Sequence, residues 1–377
     1  MPAARAWDQS DSVVTWKRNT WTTLVTAHGW IPRMTAPTTG SIAELVAGLP
    51  KTDLHVHLVG AASADTVLGL ARRHPDAGVP TDRVALAAYY AFTDFAHFID
   101  IYVSVNSLVR TPEDVEALVV GAAGDMGRQN VRYAELTVTP DSHLLMGIAP
   151  EAVAEALTSG RARALDEHGV ELAWVFDIPG ELGLVSGERT IDWVEAHAPE
   201  GTAAFGLGGP EVGVPRPQFA EVFARSRAMG LHSVPHAGET TGPETVWDAL
   251  RLLGAERIGH GITSVQDSGL LGHLAAEQIT LEVCPVSNVR TRAVADLAAH
   301  PLPTLLDAGV MVTLGSDDPG MFATTLNEQY VLAHDVLGVT VPALVEIART
   351  GVRASYAGDE VKSRLLAEID GYAATRT

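Results

Sequence analysis

Seven polar side chains carry the chemistry open to this sequence: His55, His57, His236, Glu239, His260, Asp317 and Asp318. They fall in four short motifs, LHVHL (54–58), HAGE (236–239), RIGHG (257–261) and SDDP (316–319). Side chains alternate along a β-strand, so His55 and His57 share one face while Leu54, Val56 and Leu58 cover the other. Two imidazoles held side by side repel once both are protonated, and a cation between them removes the conflict. His236 adds a third nitrogen and Asp317 an oxygen, and three nitrogens with a carboxylate suit zinc. A lone histidine at a strand end is more often structural. Four of them with three acids are costly to bury unless they are paired or bind a metal. The only lysines are Lys17, Lys51 and Lys362. None stands at the end of a middle strand, where a carboxylated lysine could bridge two ions, so one zinc per chain is expected.

These side chains need a scaffold that brings distant segments to one point. From Asp53 onward, short β-branched runs alternate with longer stretches of helical spacing. The sequence predicts strands near 52–57, 131–138, 170–177, 203–207, 231–236, 256–260, 279–284 and 310–315. Short buried strands separated by helices indicate a parallel sheet. Eight of them over this length predict a closed (β/α)8 barrel of the TIM type, whose chemistry belongs at the C-terminal ends of the strands. All four motifs lie at such ends. The competing open, doubly wound sheet lacks its signature, since no GxGxxG follows the first strand. The stretch 61–130 is too long for one connection. It shows helical spacing around Thr66–Arg73 and an aromatic run, YYAFTDFAHFIDIY (89–102). Phe92, Phe95 and Phe98 are spaced to share a helix face, and a helical lid inserted after the first strand is expected.

Bulk properties narrow the partners. The chain has 377 residues, 46% of them hydrophobic, and a net charge of −20 from 46 acidic and 26 basic residues. Nucleic acid and anionic membranes both call for a basic face and are disfavoured. The single cysteine, Cys284, forms no internal disulfide, which fits a reducing cytoplasm. Residues 1–40 read as a poorly ordered extension, although Trp7, Trp16, Trp21 and Trp30 would also suit a docking arm. Residues 41–377 then form the barrel.

The four motifs, in this order, together with CPVSN (284–288), resemble the adenosine deaminase family of the amidohydrolase superfamily. The resemblance runs from about Lys51 to beyond Tyr330. It implies zinc held by His55, His57, His236 and Asp317, and Glu239 facing N1 of a purine. It further implies His260 beside the attacking water, Asp318 on the N7 side of the ring, and the backbone N–H of Gly209 at N3. The chemistry agrees. Zinc makes water nucleophilic near neutral pH, and protonation of N1 eases attack on C6. His260 could take the water's proton or stabilise the nucleophile electrostatically.

Three positions depart from the family pattern. Val59 stands where an aspartate usually meets the ribose 5′-hydroxyl. Gly209-Pro210-Glu211 replaces Gly-Asp-Glu, and Thr137 follows Glu135-Leu136 where an arginine is common. They fall where the sugar end of a nucleoside would lie, and Val59 favours an apolar 5′ group. The expected activity is zinc-dependent hydrolytic deamination of a 6-aminopurine nucleoside, a 5′-substituted adenosine such as aminodeoxyfutalosine or adenosine itself. Adenine deamination and a non-catalytic, growth-factor-like purine binder are the alternatives.

Overall fold

Strands this short, and apolar on both sides of the pleat, must be covered on both faces. A parallel sheet closed on itself and wrapped by helices does so. The computed structural model of the chain has that arrangement. It describes residues 41–376, together with the backbone of 23–26 and 29–32. Eight parallel strands pair in chain order: β1 (Lys51–His57), β2 (Val131–Val138), β3 (Glu171–Pro179), β4 (Thr202–Gly208), β5 (His232–Ala237), β6 (Arg257–His260), β7 (Thr280–Val283) and β8 (Val312–Leu314). The last strand returns to the first through the main chain. His57 N–H donates to the Asp317 carbonyl at 2.9 Å, and Asp317 N–H to the His55 carbonyl at 2.8 Å. The expected (β/α)8 barrel is therefore present, and each expected strand overlaps an observed one. Three of the candidate ligand residues, His55, His57 and Asp317, also make the seam that closes it.

The connection after β1 is helical, with helices Ala64–Arg73, Arg83–Tyr89, Phe95–Asn106 and Pro112–Arg128. Ser63, Asp82, Asp94 and Thr111 cap them by accepting backbone N–H groups of the first turn, donors that would otherwise be unpaired. One expectation is corrected here. Phe92 does not share a helix face with Phe95 and Phe98, because Asp94 caps the helix and leaves Phe92 ahead of it. Phe92 still reaches Phe98 (ring centroids 5.3 Å apart) and Phe322 (5.8 Å), which ties the insertion to the segment after β8.

Beneath the site the barrel interior holds an ionic chain instead of purely apolar layers. Arg257 on β6 donates from Nε to Glu282 Oε1 on β7 at 2.7 Å, pairs with Glu135 on β2, and gives a third hydrogen bond to the Ala354 carbonyl. Buried charges are tolerated when fully partnered in this way. The expected extension, residues 1–40, lies outside the described residues except for one backbone feature, an antiparallel pairing of Thr23–Thr26 with Gly29–Pro32. Among the described residues no helix is long and apolar enough to cross a membrane.

Candidate active site

All seven candidate side chains sit at the C-terminal end of the barrel. β1 ends in His55 and His57, β5 carries His236, β6 ends in His260, and Asp317 and Asp318 follow β8. His260 and Asp317 both have φ of +62°. Residues other than glycine pay for that left-handed conformation, which persists where the surroundings enforce it. For Asp317 the enforcing contacts are the two main-chain hydrogen bonds of the barrel seam.

Of the four residues that the resemblance implies as ligands, His55, His57 and His236 bring ring nitrogens within 4.8 Å of one another, and Asp317 approaches two of them. His57 Nε2 lies 3.2 Å from His236 Nε2 and 3.4 Å from Asp317 Oδ1, and His55 Nε2 lies 3.7 Å from the same oxygen. A tetrahedral zinc with bonds of 2.0–2.1 Å would space its ligand atoms by about 3.4 Å. His55 Nε2 and His236 Nδ1 are buried with no hydrogen-bond partner. Burial holds His57 down to about 4, and His236 lies well below the usual histidine range, burial first and the charge of His55 second. Two neutral imidazoles at this distance share either one N–H or a cation, and with the unpartnered Nε2 of His55 and the Asp317 carboxylate beside them the residues present fit zinc. Beside the group of His55, His57 and His236 stands a second, of His55, His260, Cys284 and Asp317, whose ligand atoms also lie within 4.8 Å of one another. It is the weaker candidate, because burial pushes the Cys284 thiol well above its usual range and keeps it from being a thiolate.

The acid side of the site is as ordered. Burial, followed by the charge of Asp317, pushes Glu239 up to about 8. Asn288 Nδ2 and Thr291 Oγ1 both donate to Glu239 Oε1 at 3.3 Å. Beneath it, Glu211 accepts the backbone N–H groups of Gly238 (2.8 Å), Glu239 (2.7 Å) and Thr240 (2.9 Å). Burial raises Glu211, yet Arg216 and these hydrogen bonds outweigh it and keep the carboxyl below its usual range. Asp317 and Asp318 split: burial and the charge of Asp317 push Asp318 well above the carboxylate range, while His55, His260 and His57 hold Asp317 low against its own burial. His260 lies 3.7 Å from both Glu239 Oε2 and Asp317 Oδ2.

The profile of the adenosine deaminase family matches residues 50–372, most of the chain and all four motifs. The chain belongs to the adenosine deaminase family. It is 54% identical over 341 residues to the aminodeoxyfutalosine deaminase of Streptomyces avermitilis, covering 90% of this chain and 95% of that one. Among solved structures, adenine deaminase of Arthrobacter aurescens superposes with a TM-score of 0.82 at 32% identity, over 86% of this chain and 99% of that one. A zinc-bound amidohydrolase of Burkholderia ambifaria superposes with a TM-score of 0.83 at 25% identity, over 91% and 96%. The chain is a hydrolytic deaminase.

Against the adenosine deaminase pattern, the departures take these places. β1 stops at His57 and the chain turns over 58–61, so alternation no longer sets the direction of Val59, which is buried in the main core. The turn nonetheless borders the site: a Cβ on Gly60 would overlap Asp318 Oδ1. Gly209 has φ of +76°, a backbone conformation that favours glycine, and a Cβ there would also have to displace the Glu181 carboxylate, whose Oε2 would lie 2.4 Å away. Thr137 is buried on β2, and its carbonyl accepts from Leu58 N–H.

Sequence reasoning missed four supporting residues. Glu282 accepts from or pairs with His55 Nδ1 at 2.9 Å, and an acid inside the apolar run TLEV was a readable sign that a buried partner exists. Asn288 and Glu211 stood inside recognised motifs without an assigned task. Asp177, held by Thr139 Oγ1 at 2.6 Å, borders Gly208 beside His236, and nothing local marks it out.

Proposed function

We propose that this chain removes the exocyclic amino group of a 6-aminopurine nucleoside by hydrolysis, with one zinc ion held by His55, His57, His236 and Asp317. The clustering of the His55, His57 and His236 ring nitrogens within 4.8 Å of one another, with Asp317 Oδ1 3.4–3.7 Å from two of them and the Nε2 of His55 left without a partner, carries this reading. Zinc bound there supplies the Lewis acidity that makes water a nucleophile near neutral pH.

The chain's own residues do the rest. Both hydrogen bonds to Glu239 end on Oε1, which leaves Oε2 to carry the proton for N1. A carboxyl pushed up to about 8 is protonated at neutral pH and suited to that donation. Glu211 fixes the backbone under Glu239, so the acid is aimed before substrate arrives. Asp318, raised by burial, is neutral and can donate on the N7 side. The Gly209 backbone N–H meets N3. His57, His260 and Glu239 are nearly closed off from solvent, which fits a lid role for the helices of 61–130. The 41–377 barrel is the catalytic unit, working on a small purine in the cytoplasm, with 1–40 as a separate extension.

Among substrates we rank 5′-substituted adenosines first, a ranking supported by the 54% identity to an aminodeoxyfutalosine deaminase. Adenine ranks lower, since adenine deaminase relatives are less similar, 37% identical in that of Sphingopyxis alaskensis and 32% in that of Arthrobacter aurescens. An absorbance screen of the zinc-analysed protein against adenosine, deoxyadenosine, adenine, methylthioadenosine and aminodeoxyfutalosine tests this. The expected result is one zinc per chain, turnover of 5′-substituted nucleosides, loss of activity on chelation and recovery with zinc. Full turnover by metal-free protein, or none with any 6-aminopurine, would end the proposal.

A further inference from the structure

His300 is a buried histidine to which the mechanism gives no task; it lies just before helix Leu302–Asp307. Its two nitrogens have different partners. Nδ1 lies 3.1 Å from the backbone N of Leu302, and Nε2 lies 3.2 Å from Asn288 Oδ1. A backbone N–H can only donate, so His300 Nδ1 must be bare. A neutral imidazole carries one proton, which is therefore on Nε2 and donated to the Asn288 carbonyl. An imidazolium is excluded by the same contact, since its second N–H would point at the Leu302 amide. Burial acts in the same direction and holds the ring down to about 4.

This fixes the Asn288 amide. Its oxygen faces His300, so its NH2 faces the site, where both hydrogens have takers: Glu239 Oε1 at 3.3 Å and His260 Nδ1 at 3.1 Å. The reversed amide would set a carbonyl oxygen against a carboxyl oxygen and strand two donors in a buried place, which costs more than a lost hydrogen bond. His260 Nδ1 must then accept. Its single proton sits on Nε2, the nitrogen that faces Glu239 Oε2 and Asp317 Oδ2.

We infer that His300 and Asn288 are positioning residues that hold His260 in the Nε2–H tautomer. His260 thus enters the reaction as a hydrogen-bond donor toward the attacking oxygen, the second of the two roles its sequence position left open. The polarity originates at one backbone amide and passes through two side chains, and the same Asn288 group orients the proton donor Glu239. The kinetic part rests on the function proposed above. The tautomer does not, because it is a property of the protein without substrate.

The test uses the full chain with isotope-labelled histidine, read by long-range proton–nitrogen correlation NMR around neutral pH. His260 and His300 should both show a protonated Nε2 and a bare Nδ1. An Nδ1–H tautomer or an imidazolium at His260 would overturn the inference, whatever the substrate proves to be. His300→Leu removes the donor and frees the Asn288 amide. His260 should then populate both tautomers, and kcat should fall roughly 10- to 100-fold with KM and zinc content close to wild type. His300→Gln, which can still accept from Leu302 and donate to Asn288, should recover most of that loss. A single unchanged His260 tautomer with wild-type kcat in His300→Leu would also overturn it. The wild-type spectrum decides the matter even if a variant folds poorly.

Discussion

His55 Nδ1 lies 2.9 Å from Glu282 Oε2, and this contact decides which nitrogen of His55 is free. With its proton held at Nδ1, the ring turns a bare Nε2 toward His57, His236 and Asp317. Glu282 is in turn held by Arg257, so a charge chain through the barrel interior sets the direction of one candidate ligand. Without an ion, Glu282 and Asp317 overcome burial and raise His55 to about 9. Glu282→Gln keeps the shape and removes the charge. Zinc affinity should drop roughly 10- to 100-fold, as for other groups that orient a metal-bound histidine, measured by competition with a chromogenic chelator. Saturating zinc should return most of the activity. Affinity equal to wild type would show the contact to be incidental.

Glu239→Gln separates acid chemistry from metal binding. The amide keeps the contacts with Asn288 and Thr291 but has no carboxyl proton to give. A loss of ~10²–10⁴-fold in kcat is expected, the usual contribution of a positioned general acid, with zinc still at one per chain. Turnover near the wild-type rate would remove Glu239 from the role of N1 donor.

The same residue predicts a pH dependence of stability in metal-free protein. Unfolded, Glu239 titrates at about 4.3; folded, burial and then Asp317 push it up to about 8. Between those values the folded protein keeps a proton that the unfolded chain has lost. Wild-type stability should therefore fall as pH rises through this window, by at most about 1.4 kcal/mol per pH unit, and level off above it. Glu239→Gln lacks this term. Denaturant unfolding of chelator-treated protein should show the variant gaining on wild type as pH rises. A gain in the opposite direction would mean the buried carboxyl is not held neutral.

Val59 is the sequence's clue to the 5′ end of the substrate. An aspartate there could accept from a 5′-hydroxyl; valine leaves that hydroxyl unpaired, at a cost on the order of 1–3 kcal/mol, or roughly ten- to a hundredfold in kcat/KM. Wild type should prefer 5′-substituted adenosines over adenosine, and Val59→Asp should shift the ratio toward adenosine with zinc content unchanged. If adenosine outperforms every 5′-modified analogue in wild type, the sugar end is recognised by other residues.

How much was legible follows from the range of each interaction. Strand and helix periodicity are local, so the eight strands and the barrel could be read before any contact was known. The seven candidate site residues could be picked out because each sits in a short motif at a strand end, and one strand's alternation sets His55 and His57 on a common face. Phe92 was misplaced because a single capping residue, Asp94, starts the helix later than the aromatic spacing suggests. Which partner each supporting residue would meet was not legible, for a different reason. Glu282 reaches His55 across 227 residues of chain, Asn288 reaches Glu239 across 49, and Glu211 reaches Glu239 across 28. Those pairings, and with them the protonation of Glu239 and the tautomer of His260, depend on burial and on side-chain direction at the seams of a closed barrel. Sequence alone determined which chemical groups the protein owns and which end of the barrel they share. Only the tertiary structure decided which of their atoms are free to act, because a buried polar atom takes its state from whichever partner packing brings within hydrogen-bond reach.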